Sequence, residues 1–161
     1  MDRYIQPFID VSKNVFKELL KIDIEAGRPY FSDRDSYPKW DISGVIGLTG
    51  EVSGAVVISM KKDLAVWITQ ILTSKEHQDF DDEVVDSVGE VINIIAGNVK
   101  HDLEDSFRII ISLPTVVSGD NHTIQWPQVN ARIICIPFKI FNDKNFFLSV
   151  AIEVLNSIEH V

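Results

Sequence analysis

The sequence predicts an α/β (α+β) fold in which a mostly antiparallel sheet packs against two long helices. Two segments, at about residues 5–24 and 82–100, carry apolar residues at helical spacing. Several Val- and Ile-rich segments are joined in pairs by short polar turns, as in β-hairpins. The 161 residues are enough for one core, and no low-complexity segment interrupts them. We therefore expect a single domain over residues 1–161.

The segment at residues 82–100 is the strongest helix in the chain. At about 100° per residue, one side of this helix collects the apolar residues. That side is formed by Val84, Val88, Val91, Ile95 and Val99, with Val85 and Ile92 at its edges. The opposite side is formed by Asp86, Glu90, Asn93, Gly97 and Lys100. A carboxylate and a carboxamide three residues apart, followed by a glycine, are unusual for a face that needs only solubility.

Two glycines interrupt this helix. Gly89 and Gly97 each cost about 1 kcal/mol relative to alanine in a helix interior. Such glycines indicate that another backbone approaches closely, and the sequence leaves open whether it belongs to this chain or to a partner.

The other elements follow from the same patterns. The first helix spans about Ile5 to Ile24, with Pro7 in its first turn, and a polar connector over residues 28–40 follows it. The expected strands are residues 42–49, 51–60, 109–113, 122–126, 131–141 and 145–155, with a short helix at 62–72 and an ordered loop or edge segment at 112–119.

The order of elements suggests an internal helix–hairpin pseudo-repeat. Each half offers a long helix followed by a hairpin. If Asp10 is aligned with Asp86, Asn14 and Lys17 take the places of Glu90 and Asn93. The similarity is one of layout and not of sequence.

Composition narrows the function. The chain has 24 acidic and 15 basic residues, a net charge of -9, which disfavours nucleic acid as a partner. This charge suits either a basic patch on another protein or simply a soluble acidic surface. No signal-peptide segment and no run of about 18 apolar residues is present, so we expect a cytoplasmic protein that does not contact a membrane. The single cysteine, Cys135, lies in an apolar run, and the four histidines lack metal-ligand spacing, so we expect no bound metal or cofactor.

The pattern Asp86-x-x-x-Glu90-x-x-Asn93-x-x-x-Gly97-Asn98 resembles the signature helix of the CheC/CheX/FliY phosphatases of bacterial chemotaxis. Residues 14–16, 42–48 and 112–117 resemble CheX-type sequences in particular, so the resemblance spans nearly the whole chain. The pair Glu-x-x-Asn alone is a weak motif. In this context it is fairly specific.

This resemblance implies a hydrolase that removes phosphate from the phospho-aspartate of a CheY-type response regulator. Asn93 would orient the attacking water, and Glu90 would pair with a partner lysine. Asp86, Gly97 and Lys100 would contact the partner, which would carry the Mg²⁺. The first helix lacks Glu-x-x-Asn, so one site per chain is expected, in contrast to the two of CheC.

The family also implies a homodimer joined through sheet elements. The apolar strand at residues 145–152 and the one beginning at Ile109 need covering, which agrees with this. A non-catalytic module of the same fold that tethers a receiver domain or a flagellar-switch component is the alternative function. The sequence leaves open which receiver domain is the target, whether another protein stimulates the activity, and whether the pathway is chemotaxis.

Overall fold

The computed structural model of the protein describes residues 2–32, 38–76, 79, 81–126, 132–141 and 143–155. Within these ranges it contains helices α1 (Asp2–Leu20), α2 (Lys62–Thr73) and α3 (Asp82–Leu103). The strands are β1 (Glu25–Ala26), β2 (Tyr30–Phe31), β3 (Trp40–Gly50), β4 (Val52–Met60), β5 (Ile109–Ile111), β6 (Thr115–His122), β7 (Ile134–Lys139) and β8 (Asn145–Val154). The predicted α/β class is confirmed, with α2 as a third helix beside the two long ones.

All the described strands belong to one antiparallel sheet. Its order is β1-β7-β8-β4-β3-β5, while β2 also pairs with β7 and β6 also pairs with β3. The two halves of the chain are equivalent in this sheet: if β1, β2, β3 and β4 are exchanged with β5, β6, β7 and β8, respectively, the same set of strand pairs results. The predicted helix–hairpin pseudo-repeat is therefore present in the topology, and the outer strands of each half pair with the hairpin of the other half.

The core lies between the helices and one face of the sheet. Inward side chains of the central strands, such as Ile46 on β3 and Ile58 on β4, are fully buried in one cluster with all three helices. A Cβ placed on Gly44 of β3 would lie 3.0 Å from Cγ2 of Ile92 on α3. The close approach of α3 to β3 therefore fixes which side of α3 is buried.

Some predicted boundaries were wrong. Helix α1 begins at Asp2, so Pro7 lies inside it and not in its first turn, and it ends before Lys21, whose φ is +59°. The expected strand at 122–126 is wrong, since His122 ends β6 and residues 123–126 are not paired. The short strands β1 and β2 lie where a helix end and a connector were expected, and residues 33–37 of that connector lie outside the described residues.

A hydrogen-bond chain holds β6 against the hairpin on the side of the sheet away from the helices. His122 donates from Nδ1 to the carbonyl of Gly119 at 2.8 Å, because a carbonyl can only accept. Its Nε2 lies 2.8 Å from Oγ of Ser43, and that hydroxyl lies 2.7 Å from Oγ of Ser59, so the three side chains form one chain of hydrogen bonds. Both serines are buried, so this chain ties β6 firmly to β3 and β4.

Strand β8 is central and not an edge. It pairs with β4 along one side and with β7 along the other. Both backbone edges of β8 are therefore paired within the chain, and Phe146, Leu148 and Val150 are buried, whereas Val154 at its end is exposed. Ile110 of β5, at the sheet edge, is also exposed. Among the described helices, none is both long and apolar enough to cross a membrane.

Candidate functional site

Helix α3 places its two faces as the sequence predicts. The predicted stripe of Val84, Val88, Val91, Ile95 and Val99 is buried, as is Ile92. Asp81 caps the helix by accepting a hydrogen bond from the backbone N–H of Val84 at 2.9 Å, and Asp82 and Glu83 complement the positive end of the helix dipole. Because the apolar side of α3 is buried and its N-terminus is capped, the orientation of the helix is fixed and its polar side faces away from the core.

A groove of about 480 Å³ runs along this polar face. We call it the α3 groove; its lining residues are Val85, Asp86, Gly89, Glu90, Asn93, Pro114 and Val116. One wall is α3 itself and the other is the start of β6 with the residue before it. The structure thus brings together Asp86, Glu90 and Asn93 of the predicted site residues.

The polar side chains of the α3 groove have no partner among the residues that the structure describes. Asp86 and Glu90 are exposed and Asn93 is half-buried. None of the three makes a side-chain hydrogen bond or ion pair with any described residue. An amide and two carboxylates in a concave surface can therefore engage water or an external group without first breaking an internal contact.

The opposite wall comes from a segment far away in sequence. Pro114 and Val116 face Gly89, and a Cβ on that glycine would lie 3.4 Å from Cγ2 of Val116. These wall residues and Gly89 were not predicted as site residues. Pro114 and Val116 do belong to the stretch at residues 112–117 that carries the family resemblance. That resemblance was the feature of the sequence that could have identified them as site residues.

The two glycines of α3 differ in their surroundings. A Cβ on Gly89 would meet the opposite wall at an ordinary van der Waals distance. A Cβ built on Gly97 would have no described atom within 4 Å apart from its chain neighbours and the nearby backbone of α3. Tight packing inside the described part of the chain therefore does not explain Gly97. Of the two interpretations the sequence left open, approach by a partner is the one that agrees with this open space.

Lys100 lies outside the α3 groove. It lines a separate surface depression near the C-terminal end of α3, together with Glu51, Glu104 and Arg108. It shares the polar side of the helix with Asn93 and Gly97, so its predicted role in partner binding stays a prediction. Among the described residues, no group of three or more His, Cys, Asp or Glu side chains is arranged to hold a metal ion.

The fold and this polar helix define a CheC-like protein. A solved structure of a CheC-like superfamily protein from Shewanella sp. PV-4 superposes with a TM-score of 0.86 at 29% identity, covering 95% of this chain and 99% of that one. The CheX-CheY-BeF3-Mg²⁺ complex from Borrelia burgdorferi gives a TM-score of 0.81 at 30% identity, covering 95% and 99%.

Two sequence comparisons identify the family within this class. The family model for the chemotaxis phosphatase CheX matches residues 42–139, more than half of the chain. The CheY-P phosphatase CheX of Thermotoga maritima is 25% identical over 153 residues, which are 94% of this chain and 96% of the relative. The chain belongs to the CheX family.

Proposed function

We propose that this protein is an aspartyl-phosphate phosphatase that dephosphorylates a CheY-type response regulator in bacterial chemotaxis. The observation that carries the proposal is the α3 groove, where Asp86, Glu90 and Asn93 have no partner in the described chain. Two comparisons support it: a CheX relative is named for its activity on phosphorylated CheY, and another forms a complex with CheY.

Asn93 is the residue that acts on the reacting atoms. Its amide holds a water in line with the phosphorus of the phospho-aspartate. The water oxygen bonds to phosphorus as the bond from phosphorus to the aspartyl oxygen breaks, and the water proton passes to the phosphate that leaves. An acyl phosphate needs no strong base, so positioning is the main requirement, and a neutral amide does not repel the phosphoryl oxygens.

Glu90 fixes the docking geometry. It lies at position i relative to Asn93 at i+3, so the two side chains project side by side from α3. Its exposed carboxylate pairs with a lysine on the regulator. Asp86 adds negative charge one turn earlier, Gly97 keeps the helix narrow where the partner approaches, and Lys100 contacts the partner beyond the α3 groove.

The Mg²⁺ that phosphoryl chemistry requires belongs to the regulator in this proposal. Magnesium prefers near-octahedral oxygen ligands, and the α3 groove supplies only Asp86 and Glu90 as carboxylates. The described part of this chain offers no larger acidic cluster. When bound to the regulator, Mg²⁺ neutralises charge on the phosphoryl oxygens; the residues of this chain position water and partner.

We also propose that the protein acts in the cytoplasm and forms a homodimer. The β5 edge, with Ile110 exposed, is one described sheet element suited to pairing between copies. Light scattering should give twice the chain mass. A monomer that persists at high concentration would contradict the dimer and leave the enzymatic proposal intact.

The second candidate, a binding module that tethers a receiver domain or flagellar-switch component, uses the same surface without Asn93. Phosphate release from the phosphorylated CheY of the same organism separates the two functions. A phosphatase used at one-hundredth of the CheY concentration accelerates release through many turnovers. A binding module captures CheY at equal concentration and leaves the release rate at its spontaneous value, and that result would overturn the proposal.

A further inference from the structure

Leu113 is the most solvent-exposed of the large apolar side chains in the described chain. Its exposed fraction is 86%, whereas the others above one-third exposure, such as Ile110, reach at most 48%. A single exposed leucine is common on protein surfaces and by itself means little. The position of Leu113 is more informative, because the next residue is Pro114, which forms a wall of the α3 groove.

The backbone on either side of Leu113 is fixed. The N–H of Ser112 donates to the carbonyl of Gly47 at 2.9 Å, and the N–H of Gly47 donates to Oγ of Ser112 at 2.8 Å. The same hydroxyl donates to the carbonyl of Leu113 at 2.9 Å. Pro114 then restricts the chain further, because its ring fixes φ and disfavours helical geometry at Leu113.

A rigidly mounted apolar side chain is well suited to binding a partner. Burying it in a complex gains the hydrophobic contribution while losing little backbone freedom, since the backbone is already ordered. Nothing in the described chain packs over it, so the fold itself gains little from a leucine at this position.

We propose that Leu113 is a docking contact for the phosphorylated receiver domain. In this proposal the receiver domain carries an apolar patch that covers Leu113, close to its lysine that pairs with Glu90. This inference rests on the proposed function and adds to it a specificity-determining residue outside α3. Continuity with the α3 groove supports this occupant: Pro114, the residue next to Leu113, lines the same groove as Asn93, so a partner that reaches Asn93 in that groove comes close to Leu113. Leu113 does not touch the reacting atoms, so it acts on substrate binding and not on the chemical step.

The test is the steady-state kinetics of Leu113→Ser with phosphorylated CheY of the same organism. We expect KM to rise about tenfold with kcat unchanged within about twofold, which corresponds to loss of one buried apolar contact. Leu155→Ser is the matched control, because Leu155 is also an exposed leucine, at 47%, and lies directly after β8, outside the α3 groove. Its KM should be unchanged.

Each alternative result has a separate meaning. If the unsubstituted protein does not accelerate phosphate release, the proposed function fails and the role of Leu113 in it fails too. If the protein is active but Leu113→Ser keeps its KM, only the docking role is refuted. A change in molecular mass by light scattering in Leu113→Ser alone would show that a second copy of this chain covers the leucine, which also refutes it. Thermal unfolding confirms that the variant is folded.

Discussion

The two long helices occupy corresponding places in the pseudo-repeat, yet their outward faces differ. On α1, Nε2 of Gln6 donates to Oδ1 of Asp10 at 2.9 Å, so polar groups one turn apart satisfy each other. On α3, Glu90 and Asn93 have no partner in the described chain and face a walled groove. Asn14 on the exposed face of α1 likewise makes no side-chain hydrogen bond with a described residue, so the walled groove is what distinguishes α3. Unpartnered polar groups in a concavity are therefore a better indicator of a site than unpartnered polar groups alone.

The largest expected effect separates these two faces directly. Asn93→Ala should lower the maximal rate of phosphate release at least about 100-fold, as removal of one preorganised catalytic group does, with little change in binding. Asn14→Ala on the exposed face of α1 is the matched substitution and should change the rate less than about twofold. The measurement is turnover of phosphorylated CheY. Normal turnover in Asn93→Ala would leave the binding module as the better account.

The next effect concerns charge. Glu90→Ala should weaken binding to CheY loaded with a beryllium fluoride phosphate mimic by about 2 kcal/mol, roughly 30-fold in Kd, if the lysine pair is desolvated. Asp10→Ala should leave Kd unchanged, because that carboxylate already pairs within α1. Isothermal titration calorimetry gives both values. Equal losses in the two variants would indicate only long-range attraction between an acidic protein and a basic partner.

Gly97→Ala should change stability and binding in opposite directions. Apart from its chain neighbours and the nearby backbone of α3, no described atom lies within 4 Å of a Cβ at this position. The free energy of unfolding should therefore rise by up to about 1 kcal/mol from better helix propensity. The same methyl group should weaken CheY binding if the partner approaches the helix there. Urea denaturation and calorimetry measure the two quantities. Stabilisation with unaltered binding would place the partner away from Gly97.

The smallest expected effect is on stability and comes from an ion pair that lies on neither α1 nor α3. Nζ of Lys144 lies 2.7 Å from Oδ2 of Asp63, and this hydrogen bond holds the pKa of Asp63 below its ordinary value although partial burial opposes it. A lowered pKa in the folded state contributes stability above the unfolded-state pKa of about 3.9, and the contribution is lost as pH falls through the folded-state pKa.

Asp63→Asn should therefore cost less than about 1 kcal/mol near neutral pH, because both groups are partly exposed, and the difference should vanish in acid. Thermal unfolding as a function of pH measures this. Turnover at neutral pH should be unchanged. A difference that grows in acid would show that the ion pair is not the cause.

The sequence predicted the features that depend on local periodicity. The buried stripe of α3 follows from helical spacing alone, and the β3–β4 hairpin follows from two apolar segments around Gly50, whose φ is +98°. The strand prediction failed at residues 123–126. Alternating apolar residues indicate that one side of a segment is covered, but they do not show that its backbone pairs with another strand. Ile124 and Trp126 line a small cavity against the sheet without joining it.

Long-range pairing decided what the sequence could not predict. Pro114 and Val116 reach the α3 groove because β6 pairs with β3, with Val116 opposite Gly44, and no local pattern encodes that contact. The apolar character of β8 was interpreted as a surface to be covered, but it reflects a strand flanked on both sides. The polar face of α3 was predicted, whereas the wall that makes it a groove was not.

The place of β8 in the sheet has a consequence for synthesis on the ribosome. Of the described strands it is the last along the chain, yet it fills the middle of the sheet between β4 and β7. Until it emerges, β4 presents a long open edge of apolar strand, the kind of surface that pairs with other nascent chains. We therefore expect the period before β8 inserts to be when this chain is most prone to aggregate.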